Sequence, residues 1–156
     1  MSENILIELK GLTKRYGYGD TETFALKDFD LTIKRGEFIM IMGPSGCGKT
    51  TLLDIIGLLD RATRGEYILG GEDVAGISAS RQAKLRAKKI GFIFQNFNLL
   101  DDRTVFENVA IALRMTGITD EAAVTARVRY CLEKVGIDKY RNKAASSLSG
   151  GQRQRV

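Results

Sequence analysis

The chain has 156 residues, of which 44% are hydrophobic and 28% charged, and it carries a formal net charge of +5. That length suits one ordinary domain with a buried core, and the balance of apolar to charged residues excludes a wholly disordered chain. Two cysteines, no histidine and no run approaching 18 apolar residues exclude a disulfide framework, a zinc centre and a membrane-spanning helix, and no secretory leader is expected.

In chain order, Ile5, Ile7 and Leu9 alternate with polar residues and predict a half-buried strand. Phe29, Leu31 and Ile33 repeat the alternation, and Lys34-Arg35-Gly36-Glu37 turns the chain. Phe38-Ile39-Met40-Ile41-Met42 is apolar throughout, as in a strand buried on both faces. A helix is expected over residues 51–59. Arg64-Gly65-Glu66 then turns into a strand at Tyr67-Ile68-Leu69, and Gly70-Gly71 turns again. Residues 80–89 read as a helix and Ile90-Gly91-Phe92-Ile93-Phe94 as a second buried strand. Thr104, with Glu107 three residues on, predicts a capping box opening a helix that carries Val105, Val109, Ala112 and Leu113. Residues 120–135 predict a further helix with Val124, Val128, Leu132 and Val135 on one stripe, ended by Gly136. The order is strands, a parallel-type core, then a helical section.

The run Gly43-Pro44-Ser45-Gly46-Cys47-Gly48-Lys49-Thr50 spells a phosphate-binding loop between an apolar run and a helix. Its glycines let successive backbone amides converge into an anion-binding nest, and the helix terminus adds partial positive charge. Lys49 is placed to reach the outer phosphates and Thr50 to set its hydroxyl on Mg²⁺. The loop specifies a triphosphate and says little about the base. Tyr16, in Lys14-Arg15-Tyr16-Gly17, is either a ring that stacks on adenine or an ordinary turn tyrosine. Cys47 either fills a loop position or, among amides and beside Lys49, is an oxidisable thiol. Arg81, Lys84, Arg86, Lys88 and Lys89 lack interleaved aromatics and read as a solvated helix face, with nucleic acid, protein or membrane contact as the alternatives.

Near the end of the chain stands Leu148-Ser149-Gly150-Gly151-Gln152. With Gly43 to Thr50, Gln95 and Tyr16, it makes the chain resemble the ATP-binding subunit of an ABC transporter from about residue 5 to residue 156. Gly91-Phe92-Ile93-Phe94-Gln95, Asn98-Leu99-Leu100 and Glu107-Asn108-Val109 resemble the subgroup serving lipoprotein release and macrolide export. The resemblance implies an α/β fold of the P-loop NTPase, ABC-type ATPase kind. Residues 1–95 would form the phosphate-loop core with an antiparallel β section, and residues 96–156 a mainly helical subdomain ending in the signature motif. ATP and Mg²⁺ are the implied ligands. Tyr16 would lie on adenine, and Gly43, Pro44, Ser45, Gly46, Cys47, Gly48, Lys49, Thr50 and Thr51 would hold the phosphates. Thr50 and Gln95 would serve the metal, and Lys49 and Gln95 the chemistry. Leu148, Ser149, Gly150, Gly151 and Gln152 would close over ATP held by a second subunit. The implied partners are a head-to-tail homodimer mate or a paired ATP-binding subunit, and transmembrane subunits. Those subunits would dock near Phe97, Leu99 and Leu100, beside Asp101-Asp102-Arg103. The place would be peripheral, on the cytoplasmic face of the cell membrane, with no direct nucleic acid contact.

Two departures qualify the resemblance. Ala62 stands where the family commonly has a proline, which should loosen the turn. The family's Walker B aspartate, catalytic glutamate and switch histidine have no counterpart, and Asp54, Asp101, Asp102 and Glu107 do not follow a buried strand as a substitute would. The chain is therefore expected to be a fragment with unpaired sheet edges, a weak binder and poor catalyst whose complete parent hydrolyses ATP to power export or extraction. The alternatives are a non-catalytic nucleotide-binding fragment and a soluble ABC-type ATPase acting on nucleic acid or ribosomes.

Overall fold

The computed structural model describes residues 4–156, the side chain of Asp20 apart. They divide into two compact units, one ending at Arg86 and the other comprising Ala87–Val156.

The first unit is built on four antiparallel strands in the order β2-β1-β3-β4: β1 (Ile5–Tyr16), β2 (Thr23–Lys34), β3 (Arg64–Leu69) and β4 (Glu72–Asp73). The alternation at Ile7 and Leu9 sets the register, with Leu9 opposite Leu31 on one side and Tyr67 on the other. β1 is longer than the alternation indicates because Gly11, at φ +55°, carries it through a register shift to Leu12. Gly65 accepts no side chain there, since a Cβ would stand 2.6 Å from the Gly11 carbonyl oxygen. Helix α1 (Lys49–Ile56) buries Leu52 and Ile55, and Leu9, Leu12, Leu26, Leu58 and Leu69 are buried too. The buried Tyr67 hydroxyl donates to the Ile56 carbonyl at 2.7 Å, and burial pushes its pKa up. α1 stops short of residue 59 because Leu58 takes a left-handed conformation, φ +56°.

Helix α2 (Ala79–Lys89) leads into the second unit. There α3 (Val105–Met115) and α4 (Glu121–Lys134) pack around Val105, Ala110, Val124, Val128 and Leu132, joined by Ile137 and Leu148. Thr104 and Glu107 form the reciprocal capping box that their spacing predicts. Asp120 caps α4, accepting from the Ala123 amide at 2.8 Å, and Gly136 at φ +71° follows its end. Helix α5 (Gly150–Arg153) is one turn.

Two expectations fail. Residues 38–42 and 90–94 form no strand, and no parallel ladder exists among the described residues. Phe38 is 89% exposed and Ile93 likewise 89%. An all-apolar strand is stable only with neighbours on both edges and cover on both faces. The antiparallel sheet of the first unit pairs with neither edge of residues 38–42, and Phe38, Met40 and Met42 stay exposed.

Candidate nucleotide-binding site

The glycine loop owes its shape to backbone conformations that side chains resist. Gly46 lies at φ +81° and Gly48, the residue before α1, at φ +90°. A Cβ on Gly48 would stand 2.3 Å from the Ala25 carbonyl oxygen of β2, so the loop rests directly on the sheet. The Cys47 amide closes a turn onto the Pro44 carbonyl at 3.4 Å, and Leu52 donates to the Gly48 carbonyl at 2.9 Å to begin the helical ladder. Pro44, Ser45, Gly46 and Cys47 are exposed, as is Thr50 in the first turn of α1, while Thr51 is half-buried. Lys49 folds back over the loop and donates to the carbonyls of Gly43 at 2.8 Å and Pro44 at 2.6 Å, with Cys47 Sγ at 3.6 Å. Beside it lies an open recess of about 350 Å³, whose walls include Leu26, Phe29, Met40, Cys47, Gly48 and Lys49.

Tyr16 stands at the same end of the sheet. It pairs with Thr23, two residues before the Ala25 that carries Gly48. The residue is 47% exposed. The hydroxyl donates to Asp60 Oδ2 at 3.1 Å, and Lys14 Nζ donates to Asp60 Oδ1 at 2.7 Å while lying 4.9 Å from the Tyr16 ring centroid. Burial opposes the charge on Asp60, but hydrogen bonds from Lys14, the Arg61 amide and Tyr16 outweigh it and hold the carboxyl below its ordinary value. The turn around Ala62 is fastened without a proline. Arg61 bonds Gln82 at 3.1 Å and the Ile77 carbonyl at 2.8 Å, and Thr63 donates to the Thr13 carbonyl at 2.8 Å.

The second unit gathers the other candidates. Gln95 sits exposed in a turn followed by Phe97 at φ +60° and Asn98 at φ +55°. Gln154, just after α5, donates to the Phe94 carbonyl at 3.4 Å. The Arg153 guanidinium lies 5.3 Å from the Phe97 ring and pairs with Asp101. Leu148 is buried and roots the signature, while Ser149 and Gln152 cap each other across the start of α5. Gly150 and Gly151 are exposed, with open space where a Cβ of Gly151 would be. Asn108 ties Leu100 from both sides, accepting from its amide at 2.8 Å and donating to its carbonyl at 3.1 Å. Sequence reasoning missed Lys14, Asp60, Arg153 and the loop-closing role of Asn108. Only Lys14, two residues from Tyr16 and so on the same strand face, carried a local signal.

Among the described residues no helix is long and apolar enough to cross a membrane, and no group of three or more His, Cys, Asp and Glu gathers as a metal site would. The ABC transporter family matches residues 26–156. The lipoprotein-releasing system ATP-binding protein LolD 1 of Rhodopseudomonas palustris is 43% identical over 152 residues, which cover 97% of this chain and 67% of that protein. The methionine import ATP-binding protein MetN of Ralstonia nicotianae is 44% identical, over 97% of this chain and 43% of its own length. Among solved structures, the dimeric post-hydrolysis state of the ATP-binding cassette MJ0796 bound to ADP and Pi superposes with a TM-score of 0.87 at 40% identity, covering 96% of this chain and 66% of that one. The chain thus spans about two thirds of LolD 1 and of the solved cassette, and less than half of MetN. The fold is that of an ABC ATPase cassette, with its antiparallel N-terminal sheet and its helices, and by sequence and fold alike the chain belongs to the ABC transporter family of ATP-binding proteins.

Proposed function

We propose that this chain binds MgATP and, within the whole protein, forms the ATP-hydrolysing part of an ABC transporter that powers export or extraction. The observation that carries the reading is the exposed glycine loop, with Gly46 and Gly48 at positive φ where α1 begins, and Lys49 within reach of anything seated there. Converging amides and a helix terminus suit phosphate oxygens. Lys49 exchanges two neutral carbonyls for charged oxygens, which are the stronger acceptors. Thr50 and Gln95, both exposed, offer oxygen atoms of the kind Mg²⁺ takes. Bound there, Mg²⁺ neutralises charge on the phosphates. The remaining work belongs to the chain: positioning the phosphates, orienting the base against Tyr16 and holding a water near Gln95 for attack on the γ-phosphate.

Ser149 and Gly151, exposed at the start of α5, would complete a second copy's site. The MJ0796 cassette, a dimer bound to ADP and Pi, supports a pairing of two copies, and the head-to-tail arrangement around two nucleotides is part of the proposal. Membership of the ABC transporter family, with LolD 1 and MetN named for release and import, supports transmembrane partners, and a place on the cytoplasmic face of the membrane is part of the proposal. One belongs to a releasing system and the other to an importer, so the outward direction rests on the likeness of residues 91–95, 98–100 and 107–109 to the lipoprotein-release and macrolide-export subgroup.

Lys49→Ala tests the pocket. Losing a charge-assisted contact should weaken MgATP binding by about 10- to 100-fold by calorimetry, with an unchanged melting temperature. Unaltered affinity would remove Lys49 from the site, and the reading with it.

A further inference from the structure

We infer that Asp60 is a positioning residue for base recognition, holding Tyr16 and Lys14 as one pre-set platform. The inference rests on the reading that Tyr16 receives the adenine ring. A half-exposed tyrosine ordinarily samples several rotamers, and a base that stacks on it must first still it. Tyr16 is already held. Its hydroxyl is fixed to one oxygen of Asp60, and one ring face is occupied by the Lys14 ammonium, which is fixed to the other oxygen. What remains for a base is the 47% of the residue still open to solvent.

Lys14 needs Asp60 as much as Tyr16 does. Its side chain is only 13% exposed, low for a lysine, and its ammonium is satisfied by Asp60 and by the Arg61 carbonyl at 2.8 Å. Removing the carboxylate would leave a covered cation short of its partner and drive it off the ring.

The backbone is bent to bring Asp60 to this place. Leu58 is buried in a left-handed conformation that leucine resists, and its carbonyl accepts from the Arg86 guanidinium at 2.6 Å. The Leu59 and Asp60 amides then both fold back onto the Asp54 carbonyl, at 2.8 and 3.1 Å. The same carboxylate caps the Arg61 amide at 2.6 Å, so its rotamer is set by three donors from three residues. Strain kept at Leu58 and bonds converging on Asp60 describe a part whose task is to aim something. What it aims is the ring of Tyr16, on the strand next to the one that carries Gly48.

The test compares two probes, MgATP and magnesium tripolyphosphate, which share phosphates and differ in the base. Calorimetry is run on the full chain, on Asp60→Ala, Tyr16→Ala and Tyr16→Phe, and on the double variant Asp60→Ala/Tyr16→Ala. Asp60→Ala is expected to weaken MgATP about fivefold and leave tripolyphosphate within about twofold. Tyr16→Ala should weaken MgATP about tenfold with the same selectivity, and adding Asp60→Ala to it should cost nothing more. Tyr16→Phe keeps the ring, loses the tether and should resemble Asp60→Ala. If Asp60→Ala melts below the assay temperature, the nearly isosteric Asp60→Asn carries the cycle, with a smaller loss of the same selectivity. Equal losses of both probes, or an Asp60 effect that persists without Tyr16, would overturn the inference and leave the tyrosine reading intact. No loss of MgATP affinity in Tyr16→Ala would overturn both.

Discussion

Gly48 leaves no room for any side chain. Its φ of +90° disfavours one, and the atom a Cβ would strike is the backbone oxygen of Ala25, which moves only if β2 moves. Gly48→Ala should therefore lower the unfolding free energy of the first unit by roughly 1–3 kcal/mol in urea titration and weaken MgATP as well. That double loss separates it from Lys49→Ala, which should spare the fold. Gly46, at φ +81° but with nothing within 4 Å of a Cβ, faces the conformational cost alone. The loop's shape was legible in the sequence because its geometry is local: Gly43, Gly46 and Gly48 stand close together just ahead of an expected helix, and Gly46 and Gly48 take left-handed conformations there. The tether of Tyr16 was not legible, because Asp60 lies 44 residues away and meets it only once the chain beyond α1 has folded back onto Asp54.

Helices α3 and α4 were legible for the same reason. A capping box and a stripe of valines and leucine at helical spacing are complete within a few turns. Thr104→Ala removes the side-chain half of the box and should cost about 1 kcal/mol at neutral pH, measured by denaturant titration. A pH dependence should accompany it. The Thr104 backbone amide, then its hydroxyl, outweigh a desolvation that acts the other way, and with help from Arg103 they hold the Glu107 carboxyl below its ordinary value. A carboxylate of lowered pKa adds stability that is present above its unfolded-state pKa and lost as pH falls through its folded-state pKa. The gap between wild type and Thr104→Ala should therefore narrow in acid, and a gap that widened would contradict the box as the cause. The apolar runs at residues 38–42 and 90–94 show the opposite case. Their composition is that of buried strands, but a strand exists only with its neighbours, and five residues cannot say whether those neighbours are in the same chain.

The whole chain therefore carries a mismatch between composition and cover. Phe38, Met40 and Met42 are 89%, 67% and 79% exposed in a chain that spans about two thirds of LolD 1 and of the solved cassette. Contiguous apolar surface without a pairing partner favours association with other copies. Replacing Phe38 and Met42 together by glutamate should reduce self-association in light scattering, while urea titration shows the first unit no less stable. If scattering is unchanged, the aggregating surface lies elsewhere. The same five residues also matter before the chain is finished. A ribosome delivers them well ahead of the second unit, and the sheet formed from the flanking residues does not hide them. They are thus offered to the folding machinery as an extended greasy handle, of the type that chaperones grip, for as long as nothing pairs with them.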